Sequence, residues 1–195
     1  MARSFSITFD YLCPFARNAN EAVVEGIRGQ DWDVEFRPFS LSQTKVGEGQ
    51  VPVWDRQVGD DGTSGVLALL WGLAVRDWFP QQFLDYHLGV FAARHEEGLD
   101  INDDGVLRQV AASVGLDPKE VGERVASGDP LDRLAEEHRE AVKRWKVFGV
   151  PTLIEGDEAV FVRLMERQRL DDLEQTLQLI PWTRLNEFKR TSIPR

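Results

Sequence analysis

The sequence predicts an α/β fold in which a block of helices interrupts a small sheet. Three observations predict it. Residues 5–39 read as strand, helix, strand. Residues 63–148 carry helical spacing and no strand signal. Residues 150–180 return to two short strands and a last helix. The order is therefore β-α-β, an all-helical insertion, then β-β-α. One domain is expected from residues 1–62 and 149–195, and an inserted one from residues 63–148.

The first strand is Phe5–Phe9, apolar and β-branched without helical spacing. From Pro14 the pattern turns helical, with Ala16, Ala19, Val23, Val24 and Ile27 three and four residues apart. Pro14 suits the first helical position, because the N–H it lacks would be unpaired there. Gly26 and Gly29 end this helix. Asp33–Phe39 then alternates polar and apolar, as a half-buried strand does. Two strands joined by such a helix make a right-handed βαβ unit with parallel strands. Residues 40–62, rich in Gly and Ser, read as a long loop of the kind that is usually functional or mobile. In it Trp54 is either a lid over the site or an anchor for the loop.

Helices follow from Thr63. Val66, Leu69, Leu70 and Leu73 form the first apolar face, and Phe83, His87, Leu88 and Phe91 the second. Asn102–Gly105 opens a third helix. Asp117–Pro118 and Asp129–Pro130 are expected to cap a fourth and a fifth. The run Arg133, Glu136, Glu137, Arg139, Glu140, Lys143 and Arg144 reads as an exposed helix face paired along itself. His87 and His138 fall on apolar faces and read as core residues. Val150–Glu155 and Ala159–Arg163 flank Gly156–Asp157, a hairpin turn. A last amphipathic helix carries Leu173, Leu177 and Ile180.

The chain has 195 residues, 42% hydrophobic and 29% charged, as soluble globular proteins do. Its net charge of −10 argues against nucleic acid and anionic membrane as partners. A single cysteine, Cys13, excludes an internal disulfide, and no Cys/His cluster has zinc spacing, so no metal is expected. Neither a signal-peptide pattern nor a bilayer-spanning run is present, which predicts a cytoplasmic protein with its thiol reduced.

Cys13 falls where the first strand hands over to a helix, at the positive end of the helix dipole. A sulfur so placed is expected to lose its proton more easily than a free thiol, whose pKa is about 8.5. The competing reading is a small buried hydrophobe.

Three stretches carry a resemblance: Asp10–Tyr11–Leu12–Cys13–Pro14–Phe15–Ala16, Phe148–Gly149–Val150–Pro151–Thr152, and the hairpin with its terminal helix. On them the chain resembles the DsbA-like superfamily of the thioredoxin fold, which includes 2-hydroxychromene-2-carboxylate isomerases and kappa-class glutathione transferases. The resemblance implies a thioredoxin-like fold with a helical insertion and a cis Val150–Pro151 bond facing Cys13. It implies Cys13 as the catalytic nucleophile, with Pro14, Phe15, Val150, Pro151 and Thr152 binding a substrate or thiol. Asp10 matches an acidic residue common in the superfamily, which would bond strand-end amides or relay a proton. Arg17 would support a thiolate or face solvent. Arg163 is expected in a surface salt bridge, with an anionic cofactor as the other partner in reach.

One departure sharpens the expectation. Dithiol members carry Cys-Pro-x-Cys, and the second cysteine is here Ala16. The resemblance therefore implies a cytosolic thiol-disulfide oxidoreductase working through one cysteine, with an external thiol resolving the mixed disulfide. The alternative is a thiol-cofactor-dependent transferase or isomerase. No tightly bound cofactor is expected, only a low-molecular-weight thiol such as glutathione or mycothiol. The partners would be a small thiol or a protein disulfide, and the protein a monomer or homodimer.

Overall fold

A computed structural model describes residues 3–192. Its four strands are β1 (Arg3–Phe9), β2 (Trp32–Pro38), β3 (Thr152–Glu155) and β4 (Glu158–Phe161). Its helices are α1 (Pro14–Gly29), α2 (Val66–Trp78), α3 (Pro80–His95), α4 (Asp104–Ser113), α5 (Pro118–Ala126), α6 (Asp129–Trp145) and α7 (Leu170–Leu179). The sheet order is β2-β1-β3-β4. β1 and β2 run parallel, with Ile7 opposite Phe36. β3 is antiparallel to both β1 and β4. This is the thioredoxin-like arrangement with five helices set between its halves.

Alternation along β1 explains its place at the centre. Phe5, Ile7 and Phe9 bury one face. On the other face Thr8 is buried too, and its hydroxyl accepts the Thr152 N–H at 2.9 Å. A polar side chain can be buried there because it is paired. That bond fixes the segment before β3 against the end of β1.

Caps agree with the sequence at two helices. The Asp103 carboxylate accepts from the Gly105 N–H at 2.8 Å, and Asp117 accepts from Lys119 N–H at 2.9 Å. At α6 the expected cap is displaced by one residue. Gly128, with φ +90°, precedes the helix, and Asp129 lies inside its first turn. There its charge suits the positive helix end.

Residues 40–62 are more ordered than a plain loop. Two short 3₁₀ turns, Gln43–Lys45 and Val53–Asp55, lie in it. Gln43 Oε1 accepts the Val53 N–H at 2.9 Å, and Ser42 Oγ donates to the Ser64 carbonyl at 2.7 Å.

The expected self-paired face of α6 forms in part, Arg133 lying 3.3 Å from Glu136 and Arg144 3.9 Å from Glu140, while two carboxylates turn to other elements. Glu137 is buried and binds the Arg76 guanidinium of α2 at 2.6 Å, while Glu140 binds Arg37 of β2 at 2.7 Å. Three residues apart, the two carboxylates share a stripe that faces neighbouring elements. Arg76 also donates to the Phe36 carbonyl at 2.7 Å. Helical block and sheet are thereby tied through buried charge, and one continuous apolar core runs from Ile7 and Phe9 through Leu69, Trp71 and Leu134.

Candidate active site

Cys13 is the residue before the first turn of α1, in extended conformation (φ −95°, ψ 116°), with Pro14 next. Its own N–H donates to the Asp10 carbonyl at 3.1 Å, closing a tight turn after β1. The turn places Sγ over the start of the helix, where it accepts the Ala16 N–H at 3.4 Å. From the other side the thiol donates to the Val150 carbonyl at 3.5 Å. The Val150–Pro151 bond is cis. Thr152 holds this loop twice, through Thr8 and through its own hydroxyl, which donates to the Gly149 carbonyl at 2.8 Å. Two segments more than a hundred residues apart thus meet on one sulfur. Cys13 keeps 9% of its surface exposed.

Asp10 lies beneath this turn, fully buried. One carboxylate oxygen accepts the Leu12 N–H at 2.9 Å and the other the Leu41 N–H at 2.7 Å. It therefore joins the cysteine loop to the 40–62 segment. The helical block arrives at the same place. Gly65 has φ +79°, and a Cβ there would stand 2.8 Å from Leu12 and 3.3 Å from Asp10 Oδ1. Only a residue without a side chain fits. His95 of α3 completes the wall by donating from Nε2 to the Tyr11 carbonyl at 2.8 Å.

The electrostatics correct one expectation. Burial pushes the Cys13 thiol above its ordinary value, and the nearby Asp10 charge pushes the same way. The Ala16 and Phe15 N–H groups and the Arg163 charge pull it down without overcoming burial. Desolvation of the thiolate here outweighs the helix N-terminus. Asp10 is itself pushed up to about 6 by burial, against the pull of its two backbone N–H bonds.

Three further candidates each find partners of their own. Arg17 is buried, and its guanidinium binds Glu21 at 2.9 Å and Glu96 of α3. Arg167 binds the same two carboxylates at 2.8 and 2.7 Å. This closed network joins α1, α3 and the segment after β4, and it holds the Arg17 guanidinium between two carboxylates. Trp54 is buried against α6, its ring 5.4 Å from His138 and 4.8 Å from the Arg139 guanidinium. It is a loop anchor. Arg163, expected in a salt bridge, pairs with no carboxylate among the described residues. Its guanidinium stands 5.5 Å from the ring of Phe15 and 5.6 Å from that of Phe161.

The sequence reading places His87 in the core, as found, but misses its partners and the exposure of Phe148. Phe148, 71% exposed, packs its ring 5.0 Å from Phe161 beside the Val150–Pro151 loop. An exposed phenyl ring leaves no periodicity to read. Behind the site runs a buried chain. Tyr11 O–H donates to His87 Nδ1 at 2.9 Å, His87 Nε2–H to Asn20 Oδ1 at 3.0 Å, and Asn20 Nδ2–H to the Ala16 carbonyl at 2.7 Å. Asn20 and His87 lie on helical faces otherwise apolar, the one available signal that they bond inward.

Comparison with known proteins agrees with this architecture. The chain is 25% identical over 172 residues to the uncharacterized protein YwbO of Bacillus subtilis (strain 168), covering 77% of this chain and 86% of that one. Its fold is similar to that of a 2-hydroxychromene-2-carboxylate isomerase, with TM-score 0.67 and 20% identity over 93% of this chain and 97% of the other. It is similar also to that of the cytosolic disulfide reductase DsbM from Pseudomonas aeruginosa with GSH, with TM-score 0.63 and 19% identity over 93% of this chain and 100% of the other. Among the described residues, no helix is long and apolar enough to cross a membrane. Residues 6–178 match the model of the DSBA-like thioredoxin domain, and the chain belongs to that family.

Proposed function

We propose that the protein is a cytosolic thiol-disulfide oxidoreductase that works through Cys13 alone. The observation that carries this reading is the position of the sulfur, held between the Ala16 N–H and the Val150 carbonyl at the mouth of the cis loop. In the proposed cycle Cys13 gives its proton to solvent, and the thiolate attacks one sulfur of a disulfide. A Cys13–sulfur bond forms, and the other sulfur leaves as a thiolate. With Ala16 where a second cysteine would stand, an external thiol such as glutathione or mycothiol must attack the partner sulfur. That step releases Cys13 and carries the partner away as a new disulfide. Pro14, Phe15, Val150, Pro151 and Thr152 frame the partner, and the helical block lends a wall through Gly65 and His95.

A second reading is a thiol-cofactor-dependent isomerase or transferase. The small Ala16 beside the sulfur and the likeness to the chromene-carboxylate isomerase fold favour it. In that reading Cys13 binds a cofactor's thiol and a serine serves as well.

The test is incubation of the native protein with oxidised glutathione followed by intact-mass measurement. One adduct per chain, removed by excess thiol and absent from Cys13→Ser, is the expected result. Failure of the folded protein to form it, while the denatured chain does, rules out exchange at this site. Activity that survives in Cys13→Ser points to the second reading.

A further inference from the structure

Arg163 is set differently from most arginines of this chain. Arg3, Arg17, Arg28, Arg37, Arg76, Arg108, Arg133, Arg144, Arg167 and Arg169 all bind carboxylates. Arg163 meets none, and among the described arginines without a carboxylate it is the one that stands over Phe15, two residues after Cys13 in the first turn of α1. Its backbone is also pinned on both sides. The preceding Val162 N–H donates to the Pro151 carbonyl at 3.1 Å, and the following Leu164 carbonyl accepts from the buried Asn18 Nδ2 at 2.9 Å. One pin is the proline of the cis loop and the other is a residue of α1, five after Cys13. The exposed guanidinium stands over Phe15, two residues after Cys13, and over Phe161, which pairs with Thr152 across the β3–β4 hairpin.

We propose that Arg163 is the residue that selects the partner of Cys13, by binding the carboxylate of an anionic low-molecular-weight thiol or disulfide whose sulfur lies on Cys13. This rests on the exchange reading of the site and names its substrate class. A guanidinium offers paired N–H donors matched to a carboxylate. The phenyl rings hold it in place and leave its donor edge free. The positive charge also acts on the sulfur itself, favouring the thiolate.

The experiment compares two disulfides of opposite charge. Second-order rates of Cys13 with oxidised glutathione, an anion, and with cystamine, a dication, are measured for the native protein, Arg163→Gln and Arg163→Lys. An effect on the sulfur's ionisation moves both rates together, whereas selection by charge changes their ratio. The ratio of the glutathione rate to the cystamine rate is expected to fall about three- to five-fold in Arg163→Gln, the scale of one exposed ion pair. Arg163→Lys should retain part of it. An unchanged ratio overturns the proposal. A second measurement needs no reactive sulfur: binding of S-methylglutathione to Cys13→Ser, with and without Arg163→Gln, followed by NMR titration. Weakened binding in the double variant supports the role of Arg163 even if no exchange occurs, and then only the exchange reading falls. Equal affinity, or no binding at all, overturns the role of Arg163.

Discussion

At the scale of single residues, the chemistry turns on two buried groups whose charges oppose each other. Asp10 lies within Coulomb reach of Cys13 and raises it. Replacing Asp10 by Asn removes that charge, so the Cys13 pKa should fall, and alkylation by iodoacetamide near pH 7 should speed up by about two- to ten-fold. For the native protein the same assay should show the rate climbing from neutral into alkaline pH, with a midpoint above that of a free thiol. A midpoint below it would mean that the helix N-terminus dominates after all. The position of Cys13 was legible in the sequence, because a strand, a proline and a helical spacing bracket it. Its pKa was not. Burial depends on what the distant Val150 loop and the helical block lay over the sulfur, and no local pattern records that.

At the scale of elements, the joint between β1, α1, α2 and α3 decides how well the site is held. Gly72 of α2 faces Tyr11, and a Cβ there would stand 2.5 Å from the Tyr11 hydroxyl oxygen. In an exposed helix Gly→Ala adds about 1 kcal/mol of stability. Here the sign should reverse. Gly72→Ala pushes the hydroxyl off His87 and should cost about 2 kcal/mol, read as a lower midpoint in urea unfolding. Element types and their order were readable throughout, since each has its own period and its own stop signals. The partners of α6 were not, because Glu137 and Glu140 bind arginines from α2 and β2. Sequence spacing reveals pairs along one helix and is silent about pairs between elements.

At the scale of the whole molecule, buried histidines set the acid limit. Burial lowers His87 to about 3 and His138 to about 4. The unfolded chain takes up these protons near pH 6.5 and the folded chain refuses them, so their stabilisation is complete above 6.5 and is lost as pH falls. Asp10 acts oppositely. Its folded carboxyl binds a proton near pH 6, before the unfolded one, and so recovers some stability on the way down. Between pH 7 and pH 4 each histidine removes about 3 kcal/mol and Asp10 returns about 2, a net loss of about 4 kcal/mol. Urea unfolding at the two pH values should show it, and in His87→Gln the loss should be smaller by about 3 kcal/mol. A flat profile would mean that the histidines ionise freely in the folded protein.

The lone sulfur has one more consequence, set by mass action. When a dithiol protein closes its own disulfide, two molecules of small thiol leave, and the oxidised fraction follows the small disulfide over the square of the small thiol. Cys13 is the chain's one cysteine. Its oxidation by a small disulfide exchanges one molecule for one, and the oxidised fraction follows a simple ratio. Diluting the whole thiol pool about tenfold at constant ratio would drive a dithiol protein about tenfold toward its disulfide. Under the proposed exchange at Cys13 it would leave this one unmoved, and the molecule would respond to the composition of the pool and not to its size.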